Sequence, residues 1–330
     1  MIYTMFMDKM APGILRLSVM DNDLDLFEGQ YPVPQGVSYN SYLIEDDQLC
    51  LLDTVDARKQ EEWLAGLDEV LAGRKLDYLV ISHMEPDHAA TLGTVLSRYP
   101  EATVIGNAKT LPMIKQFFPM EVEGRFQAVK EGDTLSLGRH ELTFVMAPLV
   151  HWPEVMMTYD TTEKALFSAD AFGTFGAMDG NIFADEVNFE QEWLDDARRY
   201  YTSIVGKYGT PVQNVLKKAA GLDIQYLCPL HGPIWRENIG WFLEKYKRWS
   251  TYTPEALFSA APSTATRKTP ARSWPPVWRK RACGTCGSST CPTPTYPSRS
   301  APRSSAAIWC LPAPPTTAAS TPPWRRCCWN

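Results

Sequence analysis

Apolar positions in the first 255 residues recur at two spacings, one typical of strands and one typical of helices. Short apolar or alternating runs predict strands at residues 14–21, 38–46, 48–55, 76–82 and 102–107, and a succession of strands over 126–170. Apolar residues three and four apart predict helices at 57–73, 88–99, 110–118 and 189–220, the last broken near Gly206 and Gly209. Strands interleaved with helices predict an α/β layered sandwich.

The composition changes abruptly at about Glu255. All 38 acidic residues and all 12 methionines lie at or before Glu255. The 75 residues beyond it hold 13 of the 26 prolines, six of the eight cysteines and five of the 11 tryptophans. With 22 Lys and Arg against 38 acids, the formal charge is −16 up to Glu255, and ten further basic residues make it +10 beyond. We therefore predict one domain over residues 1–253 and interpret residues 254–330, whose composition differs, as a separate segment.

Composition also limits the classes of function. The sequence contains no run of 18 apolar residues, so we expect no membrane span. The start MIYTMFMDKM lacks the pattern of a signal peptide. The net charge of −6 gives no reason to expect nucleic acid as a partner. Cys50 and Cys228 lie too far apart for a cysteine zinc motif, and the first 255 residues carry no disulfide framework. These features predict a reducing, cytoplasmic compartment.

A cluster of metal-binding residue types follows the strand predicted at 76–82. The sequence there is His83-Met84-Glu85-Pro86-Asp87-His88, the pattern H-x-E-x-D-H. In extended backbone the period of two predicts that His83, Glu85 and Asp87 share one side. Pro86 cannot continue a strand ladder and predicts a turn into the next helix. Alternating donors after a buried strand are typical of a metal-binding loop.

Three more candidates stand where apolar segments end, namely His151, Asp170 and His231. Each alone is better explained as a hydrogen-bonded histidine or a turn aspartate, but together with the first cluster they complete a set of four histidines and three carboxylates. Seven donors suit two cations better than one, and hard oxygen donors favour iron or manganese over a structural zinc. The fifth histidine, His140, lies in a predicted hairpin turn and is assigned to the surface.

These residues resemble the metallo-β-lactamase superfamily and, within it, the flavodiiron proteins. The general superfamily pattern H-x-H-x-D-H binds zinc, and Glu85 in place of the second histidine is similar to the flavodiiron branch. The resemblance continues in VPQGVSYNSYLI, APLVHWPEVMMTY, LFSADAFG and CPLHGPIWR, which end at residues 44, 159, 173 and 236, and it covers about 250 residues. It implies an αββα metallo-β-lactamase-like sandwich over residues 1–253.

Carried over by position, the resemblance implies two irons and their ligands. One iron would be held by His83, Glu85 and His151. The second would be held by Asp87, His88 and His231, with Asp170 bridging both. Trp152 is interpreted as a pocket wall or as core filler, and Asp53 as a supporting residue behind the ligands or as a structural aspartate.

The resemblance also implies an activity and its partners. Flavodiiron proteins reduce O₂ to water or NO to N₂O, with electrons arriving through FMN from rubredoxin or a similar donor, in head-to-tail homodimers. Two alternatives remain open. One is a zinc-dependent hydrolase of the lactamase or glyoxalase II type, against which Glu85 counts, and the other is a metal-binding remnant without turnover.

Three interpretations compete for residues 254–330. A proline-rich linker does not explain the tryptophans and cysteines, and Cys283-Gly-Thr-Cys286 lacks the surroundings of a redox or metal motif. A frameshift explains the tryptophans and the cysteines. In a shifted reading frame, the codons of residues 261–268 (APSTATRK) could encode S-P-I-Y-G-N-T-E, and those of residues 312–325 could encode A-S-P-T-Y-N-G-G-I-Y-P-P-M-E.

Those hidden strings resemble the phosphate and flavin loops of a flavodoxin domain, which follows the diiron domain in flavodiiron proteins. We therefore predict that 254–330 is an out-of-frame remnant of such a domain, disordered and without the phosphate loop that would bind FMN.

Overall fold

The computed structural model describes residues 5–253, and the segment up to Thr253 forms one compact unit. The predicted frameshifted tail, its Cys283–Cys286 pair and its predicted disorder and loss of FMN binding all lie outside the described residues.

Each predicted strand or helix has a counterpart in the structure, while the strands at 5–11, 26–27 and 31–32 and the helix at 239–250 were not predicted. The strands are β1 (Met5–Ala11), β2 (Ile14–Asp21), β3 (Leu26–Phe27), β4 (Tyr31–Pro32), β5 (Val37–Ile44), β6 (Cys50–Leu52), β7 (Tyr78–Val80), β8 (Thr103–Asn107), β9 (Phe126–Val129), β10 (Thr134–Ser136), β11 (Glu141–Met146), β12 (Met156–Asp160), β13 (Ala165–Phe167) and β14 (Tyr226–Cys228). The α-helices are α1 (Gln60–Leu71), α2 (Pro86–Ala89), α3 (Leu92–Arg98), α4 (Thr110–Phe117), α5 (Phe189–Glu192), α6 (Leu194–Tyr200), α7 (Gly209–Ala219) and α8 (Ile239–Ser250).

Two sheets contain most of the strands. The larger has the order β1-β2-β5-β6-β7-β8-β9, antiparallel from β1 to β6 and parallel from β6 to β9. The smaller has the order β10-β11-β12-β13-β14, antiparallel except for the last pair. β3 and β4 form a separate short hairpin.

Alternate residues of β5 show how the layers stack. Every residue of β5 is buried, so both faces of the larger sheet are covered. On one face Ser41 accepts a hydrogen bond from the indole of Trp63 in α1, at 2.9 Å. On the other face the Tyr42 ring lies 5.0 Å from the Phe167 ring in β13 of the smaller sheet. Successive side chains therefore point to a helix and to the second sheet, which confirms the αββα sandwich.

The predicted elements differ from the observed ones in detail. The helix expected at 88–99 is divided into α2 and α3, and the break expected near Gly206 and Gly209 appears as a π-helical turn at Tyr201–Val205 followed by a 3₁₀ turn at Gly206–Tyr208. None of the helices within residues 5–253 has the length and apolarity needed to cross a bilayer.

The assignment of His140 to the surface was wrong. His140 does stand in the turn between β10 and β11, but none of its area is exposed. The turn folds inwards because the His140 backbone N–H donates to Asp46 at 2.6 Å and the ring Nδ1 lies 2.9 Å from an oxygen of Asp160. A turn between polar residues does not by itself reveal that other loops cover it.

Candidate metal centre

Each candidate ligand follows the end of a strand. His83 to His88 come after β7 of the larger sheet, while Asp170 and His231 come after β13 and β14 of the smaller one. His151 lies in the connection from β11 to β12. All seven side chains are buried, with at most 8% of any residue exposed. The two sheets thus bring donors from four separate parts of the chain to one place.

The first group comprises His83, Glu85, His151 and Asp170, whose ligand atoms all lie within 4.8 Å of one another. Oε2 of Glu85 is 3.0 Å from Nε2 of His83 and 2.9 Å from Nε2 of His151. Oδ2 of Asp170 is 3.1 Å from the same nitrogen of His151. Two ligands at right angles, each about 2.1 Å from one ion, lie about 3.0 Å apart, so these separations fit a single cation.

The second group comprises Asp87, His88 and His231. The Nε2 atoms of His88 and His231 are 3.0 Å apart, and Oδ2 of Asp87 lies 3.3 Å from the first and 3.2 Å from the second. His88 and its neighbour Asp87 therefore point at the same place.

Asp170 lies between the two groups. Its Oδ2 faces His151 and His83, at 3.1 and 3.6 Å, while its Oδ1 is 3.0 Å from His88 Nε2 and 3.8 Å from His231 Nε2. One carboxylate thus directs one oxygen towards each group, as a residue bridging two cations must.

The expectation that His83, Glu85 and Asp87 share one side of extended backbone was wrong for Asp87. Glu85 is still extended, with φ −62° and ψ 142°, but α2 begins at Pro86. The helical turn directs Asp87 towards His88 and His231 instead. Proline at the first helical position accounts for the change of direction, because its fixed φ is already helical.

The hydrogen bonds around the histidines test whether cations fit. Nδ1 of His231 donates to the carbonyl of Ser38 at 2.7 Å, which leaves Nε2 with a lone pair facing Nε2 of His88. Neither oxygen of Asp87 accepts a hydrogen bond from any described residue, although both are buried. Facing acceptors at 3.0 Å repel unless a proton or a cation lies between them, so the donor set fits metal ions.

The electrostatics also favour positive charge. Burial alone would lower the pKa of His83, but the field of Asp170 and the hydrogen bonds to Glu154 and Glu85 hold it well above its ordinary value. For Asp170, burial works to raise the pKa, but the charge of His88 and the hydrogen bond from His151 hold it well below the usual range. Asp170 therefore remains ionised and stabilises a positive charge among the histidines, whether proton or metal ion.

Two carboxylates support the histidine segment from outside the groups. Asp53, at φ 57°, accepts hydrogen bonds from the backbone N–H of Ser82 at 2.7 Å and of His83 at 3.3 Å. Oε1 of Glu154 lies 2.9 Å from Nδ1 of His83 and accepts the Met84 backbone N–H at 2.9 Å. Asp53 was predicted to support the ligands, whereas Glu154 was missed.

Aromatic side chains surround the groups. The Trp152 ring meets the His83 ring edge-on at 5.2 Å, and the Tyr200 ring lies 5.4 Å from the His231 ring. Tyr200 is fully buried and its hydroxyl has no hydrogen-bond partner among the described residues. Sequence reasoning missed Tyr200 because an apolar helical pattern accounts for it equally well.

A cavity of about 460 Å³ opens beside the two groups. Its lining combines apolar and acidic side chains, including Leu24, Leu26, Phe27, Glu28, Tyr39, Asp56, Glu85 and Asp87. A small molecule entering here reaches the carboxylates of both groups.

Comparison with known proteins finds a matching family, similar sequences and similar structures. A sequence model of the ODP family beta lactamase matches residues 37–232. A nitric oxide reductase of Moorella thermoacetica is 34% identical over 241 residues, which are 72% of this chain and 60% of that protein.

Two solved structures are similar over the same region. The flavodiiron protein of Giardia intestinalis is 31% identical, with a TM-score of 0.71, and covers 75% of this chain and 60% of its own. The rubredoxin oxygen:oxidoreductase of Desulfovibrio gigas is 30% identical, with a TM-score of 0.71, over 76% of this chain and 63% of its own. The chain therefore spans about three-fifths of the length of these proteins.

Proposed function

Because this chain belongs to the ODP beta-lactamase family and resembles flavodiiron proteins, as its sequence predicts, we propose that residues 5–253 form a non-haem diiron oxidoreductase domain. His83, Glu85 and His151 would hold one iron, and Asp87, His88 and His231 the other. Asp170 would bridge them. The observation that carries the proposal is the pair of buried donor groups with one Asp170 oxygen directed at each.

The bound irons would relay electrons from an external donor to O₂, which is reduced to water, or to NO, which is reduced to N₂O. The residues of the chain contribute the surroundings of that chemistry. The carboxylates of both groups balance the charge of the ions, and the cavity of about 460 Å³ admits a small molecule to them. The Trp152 ring lies edge-on to the His83 and His151 rings, at 5.2 and 6.4 Å, and would wall the site on that side.

The delivery of electrons is the part of the proposal that depends on whole relatives. Rubredoxin or a similar protein would be the donor. In a complete flavodiiron protein, FMN would pass the electrons on, and a head-to-tail homodimer would bring the FMN of one subunit to the irons of the other. We place the protein in the cytoplasm. FMN binding by this chain is not part of the proposal, since the predicted flavin loops are not encoded in the present frame of residues 254–330.

The test uses the full chain, purified without oxygen and supplied with ferrous iron. About two irons per chain are expected, and the chemically reduced protein should be oxidised rapidly by O₂ or by NO, with N₂O as the product from NO. Chemical reduction removes the need for a flavin. Stoichiometric zinc with esterase or thioesterase activity would replace the proposal by the zinc hydrolase alternative, and iron binding without oxidation by either gas would leave only a metal-binding remnant.

A further inference from the structure

A buried carboxylate lies directly behind one of the proposed iron ligands. Oε1 of Glu154 receives two hydrogen bonds, from Nδ1 of His83 and from the backbone N–H of Met84, both at 2.9 Å. The Glu154 side chain is 1% exposed, so water does not compete for it. Glu154 does not line the cavity, and the proposed function assigns it no role.

The backbone around Glu154 is tied to both neighbouring segments. The Asn107 side chain, at the end of β8, donates to the carbonyl of Glu154. The N–H of Met156 donates to the carbonyl of Ser82 at 3.1 Å, just before His83. With the backbone held on both sides and Oε1 also bonded to the Met84 N–H, the carboxylate is restrained and can orient the His83 ring.

The two histidines of the second group are supported differently. Nδ1 of His231 donates to a neutral acceptor, the carbonyl of Ser38, at 2.7 Å. Nδ1 of His88 is buried and has no hydrogen-bond partner among the described residues. A full negative charge therefore stands behind His83 in the first group, whereas in the second group a carbonyl supports His231.

On the premise of the proposed diiron function, we infer that Glu154 is a positioning residue that makes the first group the tighter of the two metal sites. Its carboxylate keeps the proton of His83 on Nδ1, so that Nε2 presents a lone pair towards Glu85 and Asp170. Its charge also makes that nitrogen a stronger donor to a cation. Glu154 acts through His83 and does not touch metal or substrate.

The decisive variant is Glu154→Gln, which keeps the size of the side chain and the oxygen that accepts from Met84, but removes the charge. A matched control is Asp160→Asn, because Asp160 bonds Nδ1 of buried His140 at the same 2.9 Å, away from both groups. Both variants lose a buried carboxylate beside a histidine. Glu154→Asp, which retains the charge on a shorter side chain, serves as a partial rescue.

The measurement is a stepwise titration of the metal-free full chain with cobalt(II), followed by calorimetry and visible absorption. Wild type should show two binding steps. Glu154→Gln should weaken the tighter step about 10- to 100-fold and leave the weaker step unchanged, with Glu154→Asp in between. The cobalt-shifted NMR signal of the exchangeable Nδ1 proton of His83 should move or disappear in Glu154→Gln. Asp160→Asn should change neither step nor that signal.

Equal affinities in wild type and Glu154→Gln, or the same loss in Asp160→Asn, would overturn the positioning role. The outcomes also separate this inference from the proposed function. If the wild-type chain binds two ions and Glu154→Gln binds them equally well, only the positioning role of Glu154 is refuted. A wild-type chain that binds no ion contradicts both the diiron proposal and the inference.

Discussion

Two buried histidine–carboxylate pairs in this domain have almost the same geometry and different surroundings. His83 pairs with Glu154 and His140 with Asp160, each through Nδ1 at 2.9 Å, and none of the four residues is more than 1% exposed. The difference lies at the opposite nitrogen. Nε2 of His140 accepts from the Arg139 guanidinium at 2.7 Å, whereas Nε2 of His83 faces the oxygens of Glu85 and Asp170.

This contrast shows that a buried histidine–carboxylate pair is not in itself a functional signal. With a donor on its second nitrogen, His140 is fully satisfied within the protein and has a structural role. With acceptors on its second nitrogen, His83 is satisfied only when a proton or a cation is present. Three experiments test this distinction.

The largest effect is expected from His83→Ala. Removal of one proposed ligand should lower the iron content after desalting from two per chain to about one, because a lost ligand costs more than the 10- to 100-fold typical of an outer partner. Metal analysis beside a thermal melt of the metal-free chain checks this. If the variant retained both irons, His83 would not be a metal ligand and would have a structural role like that of His140.

His140→Ala should act on stability and leave metal content unchanged. Asp160 would lose its imidazole partner inside the protein and keep only the backbone N–H groups of Thr162 and Glu163, each at 3.2 Å. The free energy of unfolding should fall by about 3 kcal/mol, since an incompletely paired charge remains buried. Urea unfolding of metal-free protein measures the loss. A lower iron content in fully folded His140→Ala protein would contradict the structural role of His140.

The smallest effects are expected from two glycines with positive φ. A Cβ on Gly13 (φ 76°) would lie 2.6 Å from Nε2 of His140, and one on Gly232 (φ 79°), next to His231, would lie 2.2 Å from Thr174 Cγ2. Each change to alanine should cost about 1–3 kcal/mol of stability. Only Gly232→Ala should also weaken metal binding, because it displaces a proposed ligand. Equal effects on metal binding would remove the distinction between the two places.

Much of the fold could be predicted from local pattern. The predicted strands ending near Asp21, Ile44 and Asn107 appear as β2, β5 and β8. Their alternation with helices predicts the α/β layered class, whereas the αββα arrangement was implied by the family resemblance. The seven candidate ligands could also be chosen, because each follows an apolar strand and few residue types bind metals. Both predictions succeed because the spacing of apolar residues and the position of a ligand after a strand depend only on neighbours within a few residues.

What the sequence determined by itself is therefore the order of elements, the break in composition near Glu255 and the set of metal-binding residues. Only the tertiary structure decided which of them meet. Pro86 begins a helix and sends Asp87 to His231, 144 positions along the chain. Glu154 reaches His83 across 71 positions, and the inward fold of one turn buries His140. Such contacts arise when two sheets pack together, and spacing along the chain does not encode them.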